Sequence, residues 1–592
     1  MKTFLKYLLA SFIGTFIALF IVFFVLLGSM LSSISFKGKS DVQPKVKENS
    51  VLRITFDENI TDKPIIDPFD ISIFNLNNFE KNNISLKSFI DHIKKAKTDK
   101  KIKGIFLDFK GFNLSLSKAE EIRNALLDFK KSGKFIIARA DLLTQYQYYI
   151  ASVADRIYLS PEGAILFQGM NAQIMFYKKL LEKLEIKAEI IRHGKFKSAI
   201  EPFVLDSMSE ENYLQTKVYV SSLWNHLLEA ISASRNIPVD TLNYYADNLI
   251  IISDSSALVH NLVDGLKYKD EIEKELKNMI EIKEDDDINY ISMTKYSKTT
   301  LPFELTNNKI AIVYAVGEIH AGNGKDLDKI YPDRLIKYIN EATNDTSVKA
   351  IVLRVNSPGG SALSSEVIWR ELILAKQKKP LIISFGDLAA SGGYYIATAG
   401  DYIVTNHTTI TGSIGVFGIL WNAKDFLNNK VGINVSGYKT NKYADFGQPF
   451  RPLTSYERQK LQSLVEKTYR TFMRRVADGR NMTIAEVDSI GQGRVWSGIN
   501  ALQIGLADEF GGLNDAIKIA AKKANIKKYK IVEFPKKKDF MELLIEEFVK
   551  EFEQAYIKTI LPEELLKQKE FLEFIKKHKG VMALMPYNII FN

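Results

Sequence analysis

Hydrophobic and polar positions fall into three regimes along the chain. Residues 7–36 carry no charge, and 8–31 are dense in Leu, Ile, Phe and Val. A helix crosses the hydrocarbon core of a bilayer with about 20 residues, so this run predicts one transmembrane helix. It is longer than the roughly 7–15 apolar residues of a cleaved leader. Lys2 and Lys6 before it favour an inside N-terminus, while Lys37, Lys39, Lys45 and Lys47 after it pull the other way. No second run of that length follows, so the rest of the chain is expected on one face, the extracytoplasmic one, of an inner (cytoplasmic) membrane.

In the second regime short β-branched runs alternate with amphipathic segments. Residues 310–316, 350–355 and 381–384 have strand length, 364–376 has helical spacing, and 455–475 reads as a longer amphipathic helix. This alternation predicts an α/β fold with a largely parallel sheet. Residues 276–307, with the run Glu284, Asp285, Asp286 and Asp287, read as a solvated linker. The third regime begins near 526. It is Lys/Glu-rich and helical in pattern, broken at Pro562, and ends in an apolar stretch, 581–592, suited to a strand.

The middle of the chain contains itself twice. IIARADLLTQYQYYIASVADRI at 136–157 and IISFGDLAASGGYYIATAGDYI at 382–403 are identical at 10 of 22 positions, at an offset of 246 with no gap. The register extends from Lys103 and Lys349 to Gly169 and Gly415, and drifts by a residue or two beyond. The expected organisation is an anchor at 1–45, a first repeat at 46–275, a linker at 276–307, a second repeat at 308–525 and a helical extension at 526–592.

Composition narrows the chemistry. The chain has 592 residues and a net charge of +10 spread along it, with no basic block of the kind that tracks nucleic acid. It has no cysteine, which excludes thiolate nucleophiles, disulfides and Cys-based metal sites. No cofactor or metal is expected.

Positions where the two copies differ carry the candidate chemistry, because packing positions persist while a site used once lapses in the other copy. Copy two has Arg354-Val-Asn-Ser-Pro-Gly-Gly-Ser361, where copy one has Asn113 and Leu114 against the glycines. Bare amides after a strand suit an oxyanion; an ordinary Pro-Gly turn is the alternative. Copy two also has Ser391-Gly392-Gly393 between a strand and a helix, where copy one has Gln145, Tyr146 and Gln147. Small neighbours let a substrate carbonyl approach a nucleophile; a small-residue packing turn is the alternative. None of the seven histidines sits in a repeated motif, so lysine becomes the candidate base. Copy one carries GKFKSAIEPF at 194–203, and the position facing Lys197 in copy two is about Ala444. Each copy retains what the other lacks, so one complete site shared between the halves is expected.

RVNSPGGS at 354–361, ASGGYYIA at 390–397, TGSIGV at 411–416 and GKFKSAIEPF at 194–203, together with the duplication, resemble the signal peptide peptidase SppA (protease IV) family in its long, duplicated form. The resemblance implies tandem Clp-protease/crotonase-like domains and a Ser/Lys dyad with Ser391 as nucleophile and Lys197 as general base. It implies Gly359 and Gly392 as oxyanion donors, with Gly360 and Ser413 as substrate-binding residues. It also implies a membrane-anchored homotetramer that degrades cleaved signal peptides and other hydrophobic peptides. The sequence departs from the family at Gly386-Asp-Leu, where a Met-Gly-type segment is more usual. A crotonase-type hydratase or thioesterase is disfavoured by the anchor, by the Ser/Lys pair and by the absence of paired carboxylates in the motifs. A non-catalytic scaffold would require both motifs to be vestigial.

Overall fold

The computed structural model describes residues 4, 6–7, 11–18, 20–22, 44–57, 59–63, 83–111, 114–302, 305–324, 326–536 and 580–585. The expected anchor lies largely outside them. Its described parts, 11–18 and 20–22, are helical, and no helix among the described residues is long and apolar enough to cross a membrane. The expected helical pattern of the extension, 537–579, also lies outside.

Two parallel sheets repeat one strand order. In copy one it runs Gly265–Leu266, Arg156–Leu166, Phe135–Thr144, Ile102–Phe109, Ser50–Ile54, Tyr290–Ser292. In copy two it runs Glu509–Phe510, Tyr402–Thr405, Leu381–Ala390, Val348–Ser357, Lys309–Val316, Lys530–Phe534. The inner strands are apolar on both faces, as strands covered by helices on both sides must be. Helices Leu116–Lys130 and Ala362–Lys376 occupy equivalent crossovers, and Ser455–Arg480 is the long amphipathic helix expected.

The equivalence of the sheets corrects two expected boundaries. The segment read as a linker contributes the edge strand Tyr290–Ser292, and Ile280, Ile291, Met293 and Tyr296 are buried in copy one. Only the acidic run is solvated as anticipated. Its counterpart in copy two, Lys530–Phe534, lies past the expected end at 525. Both strands are short and flanked by charge, so a parallel neighbour defines them more than their own pattern does.

A third sheet joins the copies. Its order is Gly359–Ser361, Gly580–Leu584, Val416–Asn422, Lys187–His193, all antiparallel. The seven residues Lys187–His193 of copy one pair in register with Val416–Asn422 of copy two, which brings the segment after His193 into copy two. A second contact between the copies centres on Arg354, which is fully enclosed and donates from Nη2 to Glu121 Oε1 at 2.7 Å and to Asp62 Oδ1 at 3.1 Å. Both carboxylates come from copy one. Glu121 also accepts from Asn406 Nδ2 and the Leu513 amide, at 3.2 and 3.0 Å. A charge buried this deeply is tolerable only when paired and hydrogen-bonded, so the network holds the copies in one relative position.

Candidate active site

Ser391 sits at the junction of strand Leu381–Ala390 and helix Gly392–Ala397, with φ 55° and ψ −115°. Non-glycine residues rarely adopt this conformation, and where it persists the surroundings enforce it. The Ser391 amide donates to the Gly412 carbonyl at 2.8 Å. A Cβ at Gly393 would lie 2.5 Å from the Ser357 carbonyl oxygen, so a glycine is required for the turn to pack on the neighbouring strand. In copy one the same junction holds Gln145, the first residue of helix Gln145–Ala151. Its side chain accepts from the Gly169 amide at 3.1 Å and donates to the Gly169 carbonyl at 2.8 Å, so the turn is closed by its own loop.

Lys197 follows strand Lys187–His193 by four residues. Gly194 turns the chain at φ 101°, where a Cβ would lie 2.3 Å from the Gln492 carbonyl oxygen, and the Phe196 amide donates to that oxygen at 3.0 Å. The lysine stem runs between two glycines of copy two: a Cβ at Gly493 would meet Lys197 Cβ at 2.6 Å, and one at Gly415 would meet Cδ at 3.2 Å. The amine end is fully buried. Nζ lies 2.9 Å from Ser391 Oγ, 2.9 Å from Ser413 Oγ and 3.2 Å from the Ser413 carbonyl oxygen. Burial alone holds this amine well below its ordinary value of about 10.4, because desolvation disfavours the charged form.

The other expected residues fall around this pair with differing duties. Ser413, expected among the substrate-binding residues, is spent on the lysine; it is fully buried at φ 51° and its amide donates to the Arg494 carbonyl at 2.7 Å. The Gly359 amide, at φ 99°, donates to Ser357 Oγ at 3.2 Å and would have to exchange that bond to serve an oxyanion. Gly360 lies between two backbones, with a would-be Cβ 2.0 Å from the Ile319 carbonyl oxygen on one side and Ala583 as strand partner on the other. Asp387, at the departure from the family motif, accepts from Asn356 Nδ2 at 3.0 Å.

Gln215 was not signalled by the sequence. Its amide donates to Ser198 Oγ at 2.8 Å and its carbonyl accepts from the Val495 amide at 3.1 Å, tying the lysine loop to copy two. A glutamine in a long helix offers no pattern from which that could be read.

Among the described residues no histidine hydrogen-bonds Ser391 or Lys197. His193 pairs with Glu466 at 3.0 Å and His407 with Glu120 at 2.6 Å. Glu120, His226 and His407 present donor atoms within 4.8 Å of one another. The two imidazoles, however, stack at 4.4 Å and 11°, so their in-plane lone pairs run side by side, and the carboxylate already accepts from the His407 and Thr408 amides and the Thr408 hydroxyl.

A serine hydroxyl on a strained strand–helix turn, touched by a buried lysine amine, is an arrangement suited to hydrolysis. The comparisons give the class of protein. The profile of peptidase family S49 matches residues 128–283 and 373–527, once in each copy. Protease 4 of Salmonella typhi is 35% identical over 81% of this chain and 78% of its own length. Protease 4 of Haemophilus influenzae is 36% identical over 75% and 73%, and the chloroplastic serine protease SPPA of Arabidopsis thaliana 32% over 83% and 72%. A ClpP1 variant from Listeria monocytogenes covers 35% of this chain at 13% identity, with a TM-score of 0.24, too low to carry weight. The chain belongs to peptidase family S49, and it is a serine protease.

Proposed function

We propose that the protein is an endopeptidase in which Ser391 attacks the peptide carbonyl and Lys197 moves the proton. The observation that carries this is the 2.9 Å approach of a fully buried Nζ to Ser391 Oγ, with no charged neighbour among the described residues to hold it as ammonium. A neutral amine has two N–H groups and one lone pair. The N–H groups suit Ser413 Oγ and the Ser413 carbonyl, which leaves the lone pair for the Ser391 hydroxyl. Lys197 takes that proton as Oγ bonds the carbonyl carbon, and the Gly359 and Gly392 amides receive the oxyanion. The C–N bond then breaks, and the lysine returns the proton to the leaving amine. Water, deprotonated by the same lysine, releases the acyl group and restores Ser391.

The fold of Clp-protease type, the anchor at 8–31, the extracytoplasmic placement, the homotetramer and the signal-peptide substrates belong to this reading. The uncharged run supports the anchor, and the resemblance supports the rest. The test is peptide hydrolysis by Ser391→Ala and Lys197→Ala, each expected to lose about 10⁴-fold or more in kcat with melting close to wild type. Turnover retained by folded Ser391→Ala refutes the reading. Alkaline phosphatase fused after Asn592 is expected to be active; fluorescence from a cytoplasm-only reporter there reverses the placement.

A further inference from the structure

Ser357 ends strand Val348–Ser357, and its side chain is aimed at the turn that carries the nucleophile. It pairs with Ala389 on the neighbouring strand, just ahead of Ser391. A Cβ at Gly393 would lie 3.2 Å from Ser357 Cβ, so the hydroxymethyl group abuts the backbone just past the Gly392 amide. Ser357 is fully buried, as Ser391 and Lys197 are. Its hydroxyl is only half engaged. A serine Oγ can accept two hydrogen bonds and donate one. Ser357 Oγ accepts from the Gly359 amide at 3.2 Å, but among the described residues nothing accepts its own proton, and nothing accepts from the Gly392 amide. A buried donor without an acceptor is costly. Beside a nucleophile, the group that arrives to complete it is the carbonyl oxygen of the substrate.

The duplication marks the same side chain. At the offset of 246, Ser357 faces Gly111 of copy one. A Cβ at Gly111 would meet nothing within 4 Å, so lack of room does not account for the missing side chain. Copy one has Gln145 in place of the nucleophile, and the hydroxyl is present only in the copy that keeps Ser391. The loop beyond Ser357 is held in place. The Gly359 carbonyl accepts from the Ile319 amide at 2.8 Å, and the Ser361 amide donates to the Ile319 carbonyl at 2.8 Å. The Gly359 amide therefore keeps Ser357 Oγ as its acceptor without rearrangement. The competing role is a turn that Oγ merely closes, and that role carries a different kinetic signature.

We propose that Ser357 is a catalytic residue whose O–H donates to the oxyanion formed when Ser391 attacks, alongside the Gly392 amide, and that the Gly359 amide serves the oxyanion through it. The proposal rests on the Ser391/Lys197 reading and completes its oxyanion site. No bond to Ser357 forms, and its proton stays on Oγ. The hydrogen bond strengthens as charge builds on the carbonyl oxygen, because ionised acceptors bind donors more tightly than neutral ones. The Gly359 N–H, donating into Oγ, polarises the O–H and improves it as a donor. The contact is stronger in the transition state than in the bound peptide, so it acts on kcat rather than on KM.

Three measurements on the full-length protein test this. Ser357→Ala should lose about 10²–10³-fold in kcat on a fluorogenic trileucine peptide, the effect of removing one oxyanion donor, with KM within about twofold of wild type. Its kcat/KM should rise with pH through the same value as in wild type, because the lysine is untouched. Affinity for trileucine boronic acid, whose adduct is tetrahedral, should fall about tenfold or more in Ser357→Ala. Trileucine amide should bind Ser391→Ala and Ser357→Ala/Ser391→Ala equally. A crystal structure of the wild-type boronate adduct should place one boronate oxygen about 2.5–3.1 Å from both Ser357 Oγ and the Gly392 nitrogen. That structure needs no variant, so it decides the matter even where Ser357→Ala does not fold.

A folded Ser357→Ala with kcat within about threefold of wild type, or above it, overturns the proposal. So does a loss matched by weaker binding of trileucine amide, which is the mark of a turn that only shapes the groove. An adduct on Ser391 whose oxygen meets the Gly359 amide directly, with Ser357 Oγ turned away, refutes the part given to Ser357 and leaves the nucleophile standing. A boronate found on another residue, or turnover by Ser391→Ala, refutes the nucleophile and the donor with it.

Discussion

Lys197 and Ser391 are 194 residues apart in the chain, and their Nζ and Oγ atoms are 2.9 Å apart in space. The contact is made by pairing Lys187–His193 of one copy with Val416–Asn422 of the other, not by proximity within either repeat. A duplication that kept two complete sites would not need this seam, and one that lost half of each site could not act without it.

The buried lysine sets the pH dependence of activity. Only the neutral amine accepts the Ser391 proton, and burial depresses its pKa, so kcat/KM should rise with pH through a value well below 10.4 and level off beyond it. The joint replacement His193→Gln/His407→Gln should keep that limb in place. A limb that disappears in the folded double variant would assign the proton transfer to histidine.

The same lysine should appear in stability. Its folded pKa is depressed, so between that value and the unfolded value of about 10.4 the unfolded chain holds a proton that the native state lacks. Stability therefore rises with pH across this window and falls as pH is lowered toward the folded pKa, each tenfold in protonation being worth about 1.4 kcal/mol. The melting temperature of wild type minus that of Lys197→Met should become more negative from pH 10 down to pH 7. A difference that does not vary with pH would mean that the amine is charged in the folded protein.

The seam itself can be broken at Glu121. Its removal leaves Arg354 with one carboxylate, Asp62, beside its bonds to Ser384 Oγ and the Phe385 carbonyl, and strips a partner from Asn406 and from the Leu513 amide. Removing one member of a buried ionic network costs about 3–5 kcal/mol. Glu121→Ala should show that loss in denaturant melts and lose activity with it. A variant within about 0.5 kcal/mol of wild type would show that the network does not hold the copies together.

Much of this was legible because a duplication exposes function by contrast. The strand and helix positions persist in both copies, so Ser391 against Gln145 and Lys197 against Ala444 stand out without any knowledge of the fold. The edge strands Tyr290–Ser292 and Lys530–Phe534 were not legible, since three and five residues among charges carry no periodicity of their own. The joining sheet was hidden for a different reason: its four strands come from remote segments, and only tertiary pairing makes Gly359–Ser361 a strand at all. The motif singles out Ser413 but not its contact with Lys197, because the direction of a small hydroxyl in a loop depends on the left-handed turn at φ 51°.

The most direct measurement of the shared site is labelling by a fluorophosphonate, followed by peptide mapping. The probe needs an activated serine but no particular peptide substrate. Wild type should carry one adduct, at Ser391 in copy two, and Lys197→Ala in copy one should abolish it while the protein stays folded. An adduct on another serine, or equal labelling of Ser391 in the absence of Lys197, would contradict a nucleophile and base drawn from opposite halves of the chain.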